Sequence, residues 1–400
     1  MPRASSDHRG TGDPLESRLE ATAAELEAGV EAEGDEAAEP SFFEDPRRIV
    51  QTAIFVLVCL VGIYFLFPKL IEDEDAIAKL GRADPVWLGI AFGFSVAMFF
   101  SYVALFRGVV GERIDLRWRE SYEITLAGLA ATRLFSAGGA GGIALTYWAL
   151  RKAGMPPRQT ACRMVAFLVL VYAVYMATLL IDGVLLRTGV FAGPSPAGLT
   201  IVPAAIAGAV VVIFLLIALI PEDLERRMAR FTQGYRSRRL LRRLASAPAT
   251  VASGTRTAIA FVREPSRGGL AVLGALGFWA TQIGILWAAF KAVDIEVPLA
   301  VVVQGFFVGM LANLIPLPGG VGGVDAGMLG AFALFDVGGP IFTAILIYRV
   351  IAFWLPIPPG AVAFFQLRKT VRRWEDEGRG SVGGGLGRCR VAAGTPYFRK

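Results

Sequence analysis

The segment Asn313-Leu-Ile-Pro-Leu-Pro-Gly-Gly-Val-Gly-Gly-Val-Asp325 cuts through an otherwise apolar run, residues 298–335. Pro316 and Pro318 break a helix there and expose its carbonyls. A second cut, Gly138-Gly139-Ala140-Gly141-Gly142, lies inside the apolar run 121–150, 181 residues earlier. The two share the pattern G-G-x-G-G, whose second copy is Gly319, Gly320, Gly322 and Gly323. Each follows an apolar half-helix with one polar group near its end, Arg133 in the first and Asn313 in the second. Each also precedes a short apolar segment and then a long span. A single glycine-rich stretch is an ordinary packing face in membrane helices. Two at matching places read as an internal repeat.

Outward from these breaks, the chain is too apolar for a water-soluble fold. Hydrophobic residues make up 54% and charged residues 18% of the 400, where soluble domains carry roughly 25% charge. A bilayer core of ~30 Å needs about 20 apolar helical residues. Runs of that kind occur at 49–68, 85–106, 164–181, 198–220, 268–290 and 341–367, the last interrupted only by Arg349. The expectation is an all-α polytopic membrane protein with about six full transmembrane helices and two Gly-rich re-entrant hairpins. Residues 1–45 hold 13 acidic and 3 basic side chains and almost no bulky apolar ones. They read as a disordered acidic tail before a transmembrane domain over 46–367. Residues 368–400 read as a basic, Gly-rich disordered tail.

Lys and Arg concentrate in cytoplasmic loops. With the N-terminus inside, the loops on that face hold 25 basic residues and those on the other face 5. The split works only if each glycine-broken stretch returns to the face it entered from. The first hairpin then opens from the cytoplasm and the second from outside, an inverted repeat whose broken helices meet near the midplane. Many secondary transporters build their substrate site that way. The alternative is one kinked span and one peripheral segment. The termini are both expected in the cytoplasm and the protein in the cytoplasmic membrane. The loop 221–268 carries eleven arginines, eight of them within 225–244 among leucines and aromatics. This suits an amphipathic helix on an anionic leaflet, or a solvated loop whose charge serves topology alone; a nucleic-acid role fits poorly between two spans.

The segment from Asn313 to Asp325 resembles the second signature of the lysylphosphatidylglycerol synthase transmembrane-region family, also called flippase-like integral membrane proteins. In that family a proline precedes Pro-Gly-Gly-x-Gly and an acidic residue follows. Tyr348-Arg349 with Trp354, Pro356 and Gly360 is similar to the family's next helix, and residues 135–151 to its earlier glycine signature. The likeness covers about residues 49–367. After the first glycine cluster the family often has an acidic residue and an arginine, where Ile143, Ala144, Leu145 and Thr146 stand here. The acidic and arginine group of the following helix is reduced to Arg163. The resemblance implies the lipid-translocating half of such proteins without their soluble aminoacyl-transferase domain.

Candidate substrate-binding residues are Arg349, Asp325, Arg133, Asn313 and the glycines Gly138, Gly139, Gly141, Gly142, Gly319, Gly320, Gly322 and Gly323. A charge at mid-bilayer normally faces protein or water and has a partner. Asp325 and Arg349 are therefore each other's expected countercharge, or Asp325 caps the helix after the turn while Arg349 meets an anionic headgroup. Asp182 is expected to form an interfacial salt bridge with Arg187. One histidine, His8, and three scattered cysteines without a CxxC argue against a metal site and against a disulfide framework. No cofactor is expected. There is no Walker-type phosphate loop, and no histidine in the spans to support membrane-embedded catalysis, so an enzyme is not expected. Two functions stay open. One is a translocase of a phospholipid or lipid-linked anionic substrate, driven by a gradient or a coupled ion. The other is a non-transporting subunit that anchors or presents lipid to a separate glycosyl- or aminoacyl-transferase.

Overall fold

The computed structural model describes residues 81–111, 116–134, 140–219, 239–312 and 323–377. The expected first span, the acidic tail, Gly138, Gly139, Asn313, Gly319, Gly320 and Gly322 lie outside them. Every regular element among the described residues is helical. In chain order they are α1 (Pro85–Val110), α2 (Trp118–Leu134), α3 (Ala140–Lys152), α4 (Pro157–Arg187), α5 (Ala197–Ala218) and α6 (Arg239–Arg263). There follow α7 (Pro265–Ala292), α8 (Leu299–Leu311), α9 (Gly323–Leu334), α10 (Ile341–Arg349), a π-helical turn (Val350–Trp354) and α11 (Ile357–Asp376).

Five elements are long and apolar enough to cross a membrane: α1, α4, α5, α7 and the continuous stretch Ile341–Asp376. They fall on five of the six expected spans, and the chain is a multi-pass membrane protein. Local chemistry sets their ends. Pro85 occupies the first turn of α1, where a missing N–H costs nothing, and Asp84 Oδ1 accepts from Val86 N at 2.8 Å. Gly111, at φ 73°, terminates the helix.

Helix α7 is the centre. It packs along the whole of α1, and glycines set the spacing: a Cβ on Gly108 would lie 2.3 Å from Ala271 N, and one on Gly274 2.3 Å from Leu105 N. Tyr175 Oη donates to Phe307 O (2.7 Å) and Trp279 Nε1 to Val171 O (2.9 Å). These two bonds fasten α4, α7 and α8 around Tyr175 stacked on Trp279, with the Phe307 ring tilted to the first and edge-on to the second. Helix α5 is peripheral. Ile201, Val202, Ile206, Val212, Ile213, Leu215 and Leu216 are all exposed, a surface suited to lipid.

The short helices form two antiparallel pairs. Gly142 of α3 faces Thr132 and Gly128 of α2, while Gly128 faces Thr146. Gly309 of α8 faces Met328 of α9, and Gly305 faces Phe332. Each pair starts and finishes at one end of the bundle. Arg163, at the start of α4, donates to Val109 O at the end of α1 (2.8 Å), so α2 and α3 return to the end they left. Asp84 N donates to Ala292 O (2.9 Å), and Gly339 sits against Ile295, so α8 and α9 do the same at the opposite end.

Two expectations change. The basic stretch 221–268 is not all loop: α6 and the start of α7 are helical, and α6 packs against α4 through Ala252, Thr257, Ala258 and Phe261. Residues 368–376 belong to α11, not to the tail. They are held by Thr370 Oγ1 donating to Glu123 Oε2 (2.7 Å) and Trp374 Nε1 donating to Glu120 Oε1 (3.2 Å).

Candidate functional site

The site forms where the two helix pairs meet the interrupted last span. Proline makes the interruption. Pro356, Pro358 and Pro359 offer no N–H to the carbonyls of the preceding turn, and the chain widens there to a π-helical turn with Leu355 N bonding Val350 O (2.9 Å). Such turns are often found at functional positions. The released carbonyls are taken by other helices. Ser95 Oγ of α1 donates to Ile351 O (3.3 Å) and Arg133 Nη1 of α2 donates to Phe353 O (3.1 Å).

Arg349 ends α10, and its Nε lies 2.9 Å from Asp325 Oδ1. The side chains keep 11% and 17% of their exposure, so both charges are largely withdrawn from solvent. The sequence-based pairing is therefore present. Asp325 is in the first turn of α9, not at its cap; there its carboxylate faces the positive end of the helix dipole. Arg133 lies in the last turn of α2, where a cation is favoured for the same reason.

The ring of Phe353 links the two arginines. The Arg349 guanidinium carbon lies 4.7 Å from its centroid and that of Arg133 5.7 Å. Arg133 keeps 8% of its exposure and makes no ion pair among the described residues. Two guanidiniums and one carboxylate thus gather within helices that are otherwise apolar. Arg133 is in the last turn of α2 and Asp325 in the first turn of α9, the helices that flank the two glycine breaks in the sequence. Tyr348 is buried beside it, edge-on to Phe306.

The glycines divide. A Cβ on Gly142 would lie 1.9 Å from Thr132 Oγ1 and 2.4 Å from Gly128 O, so Gly142 lets α3 lie on α2. Gly141 is half-buried and Gly323 opens α9. Gly128, Gly309 and Gly327 do the same packing work in α2, α8 and α9 without belonging to a G-G-x-G-G cluster. Phe353 is the main residue that sequence reasoning missed. Its signal was its place four residues after Arg349, one helical turn on the same face.

Other expected contacts fall elsewhere. Arg187 donates to Ser195 O (3.2 Å) and makes no ion pair with Asp182: the turn after α4 offers a carbonyl at the surface, while Asp182 points inward at 5% exposure. Arg163 bonds Val109 O and lies over Phe261 (5.5 Å), joining α1, α4 and α6. No group of three or more His, Cys, Asp or Glu side chains is placed to hold a metal among the described residues.

Comparison with known proteins bears on the same segments. Residues 48–360 match the family described as the lysylphosphatidylglycerol synthase TM region. A UPF0104 membrane protein of Methanothermobacter thermautotrophicus is 31% identical over 86 residues, which cover 21% of this chain and 26% of that protein. The alignment thus spans about a quarter of the relative's length. The matched family segment contains both helix pairs, the π-helical turn and all three charged residues, and the chain belongs to the lysylphosphatidylglycerol synthase transmembrane-region family.

Proposed function

We propose that this chain translocates a phospholipid or lipid-linked anionic substrate across the cytoplasmic membrane. The observation that carries the reading is the convergence of Arg133 and Arg349 on Phe353, with Asp325 the one carboxylate paired there. Holding charges at such depth is costly, at least ~2.5–3.5 kcal/mol each on insertion scales. A pure helix tie needs one cation per anion; a second guanidinium suits an arriving phosphate or carboxylate, which arginine grips in a two-pronged fashion.

The helix lengths support the pathway. At 1.5 Å per residue, α8 and α9 extend only about 20 Å, short of the hydrocarbon thickness. In our reading both pairs are re-entrant, the α2–α3 pair from the cytoplasm and the α8–α9 pair from outside, and the termini are cytoplasmic. The distribution of Lys and Arg supports that orientation. Broken helices that point at one site from opposite faces give it access to each face in turn. The arginines supply attraction and no bond-making chemistry, and the reading assigns no catalytic residue, cofactor or metal.

The experiment is reconstitution of the purified chain into liposomes containing fluorescent anionic or zwitterionic lipids, with quencher added outside. Movement of anionic lipid above that in empty vesicles, and faster than zwitterionic lipid, is expected. No movement under any ion gradient would favour a subunit that presents lipid to a separate transferase.

A further inference from the structure

Asp182 has no part in the site just described. It lies in the final third of α4, 5% exposed, where α4, α5 and α8 meet. Gly183 brings the three together: a Cβ there would lie 2.9 Å from Thr200 O, 3.1 Å from Gln304 Nε2 and 3.3 Å from Ala204 Cβ. Gln304 of α8 is completely buried, and its Nε2 donates to Leu199 O of α5 (2.8 Å). Its Oε1 has no hydrogen-bond partner among the described residues, and neither has Asp182 Oδ2.

Among the described residues, the surroundings supply no countercharge. Neither α5 nor α8 contains a titratable side chain. On α4 itself Arg187 is turned to Ser195 O, and Tyr175, two turns below, gives its hydroxyl to Phe307 O. On α7, Lys291 is paired with Glu296 and Arg267 is at the far end. Arg107 of α1, Arg151 and Lys152 of α3, and Arg256 and Arg263 of α6 lie toward the end where α4 begins, as the Arg163 bond to Val109 O and the packing of Gly254 on Val165 show.

An ionised carboxylate without a partner is among the costliest groups to bury. Both orphaned atoms here, a carboxylate oxygen and a carboxamide oxygen, are acceptors. A proton on Asp182 removes the charge and turns one acceptor into a donor. We propose that Asp182, whose chain neighbour Gly183 packs on Gln304, is a buried proton-binding site at the junction of α4, α5 and α8, and that its loading and release couple translocation to a proton gradient. The coupling rests on the translocase reading; the protonation does not.

Infrared difference spectra of the full-length chain in lipid nanodiscs, cycled between acidic and alkaline buffer, read the site. A protonated carboxyl band is expected, shifted by labelling the unmutated chain with carbon-13 aspartate and lost in Asp182→Asn. The same band should not respond to exchange of sodium for potassium. Absence of an aspartate-labelled band, its survival in Asp182→Asn, or its displacement by sodium would overturn the site. In liposomes, a pH gradient should accelerate anionic-lipid movement by the wild type and leave Asp182→Asn unaffected. A wild type indifferent to the gradient overturns the coupling. Absence of any lipid movement counts against the translocase reading itself, with the infrared result standing on its own.

Discussion

Asp325 and Arg349 are the two charges that most clearly declare themselves in the sequence, because each interrupts an apolar run that carries no other charge. Their 2.9 Å contact follows from that isolation. Removing one partner of a buried pair strands the other, at a cost of about 3–5 kcal/mol. Asp325→Ala and Arg349→Ala are each expected to lower thermal stability in detergent, and the double variant to lose less than the two singles together. Strictly additive losses in thermal unfolding would contradict the pairing. Phe353 gave no such signal. An aromatic ring among apolar neighbours looks like core, and its contact with Arg133 joins residues 220 positions apart. No local pattern encodes that contact, which depends on α11 packing along α2 with Gly360 against Ala130 and Leu126.

Among the elements, the long helices were legible because twenty uncharged residues leave little choice of structure. The run beginning at Pro85 became a helix beginning at Pro85. The pairing of short helices was legible only as two matching breaks; the glycines that hold the arms together were not, since Gly309 and Gly327 look like any membrane-helix glycine. A Cβ on Gly309 would lie 2.7 Å from Met328 Cα and 2.8 Å from its N, backbone atoms that cannot rotate away. Gly330, in the same pair, has nothing within 4 Å. Gly309→Ala is therefore expected to destabilise by about 1–3 kcal/mol, the usual cost of overpacking. Gly330→Ala should be neutral or slightly stabilising, because alanine is the better helix former. Thermal unfolding of the two variants side by side checks this, and equal behaviour would mean that the arms are not held at the observed distance. The basic stretch before α7 was open between amphipathic helix and solvated loop, and the end of α11 was read as tail because charge was weighed above periodicity. Each helix buries an aromatic ring, Phe261 in α6 and Trp374 in α11.

At the scale of the whole molecule, the proposal has the two helix pairs entering from opposite faces of the membrane. Single cysteines near Gly154 and near Gly338, in a background without Cys59, Cys162 and Cys389, are expected to react with an impermeant reagent from the cytoplasmic and the external side respectively. Labelling of both from one side would contradict the inverted arrangement. The central claim is narrower: the arginines gathered at Phe353 receive an anionic headgroup. Arg349→Lys keeps the charge opposite Asp325 but loses the two-pronged grip on a phosphate or carboxylate. The direct measurement is the rate of anionic-lipid movement in liposomes by Arg349→Lys protein whose thermal stability matches the wild type. The account predicts at least a tenfold loss, equivalent to about 1.4 kcal/mol; movement at the wild-type rate would contradict it.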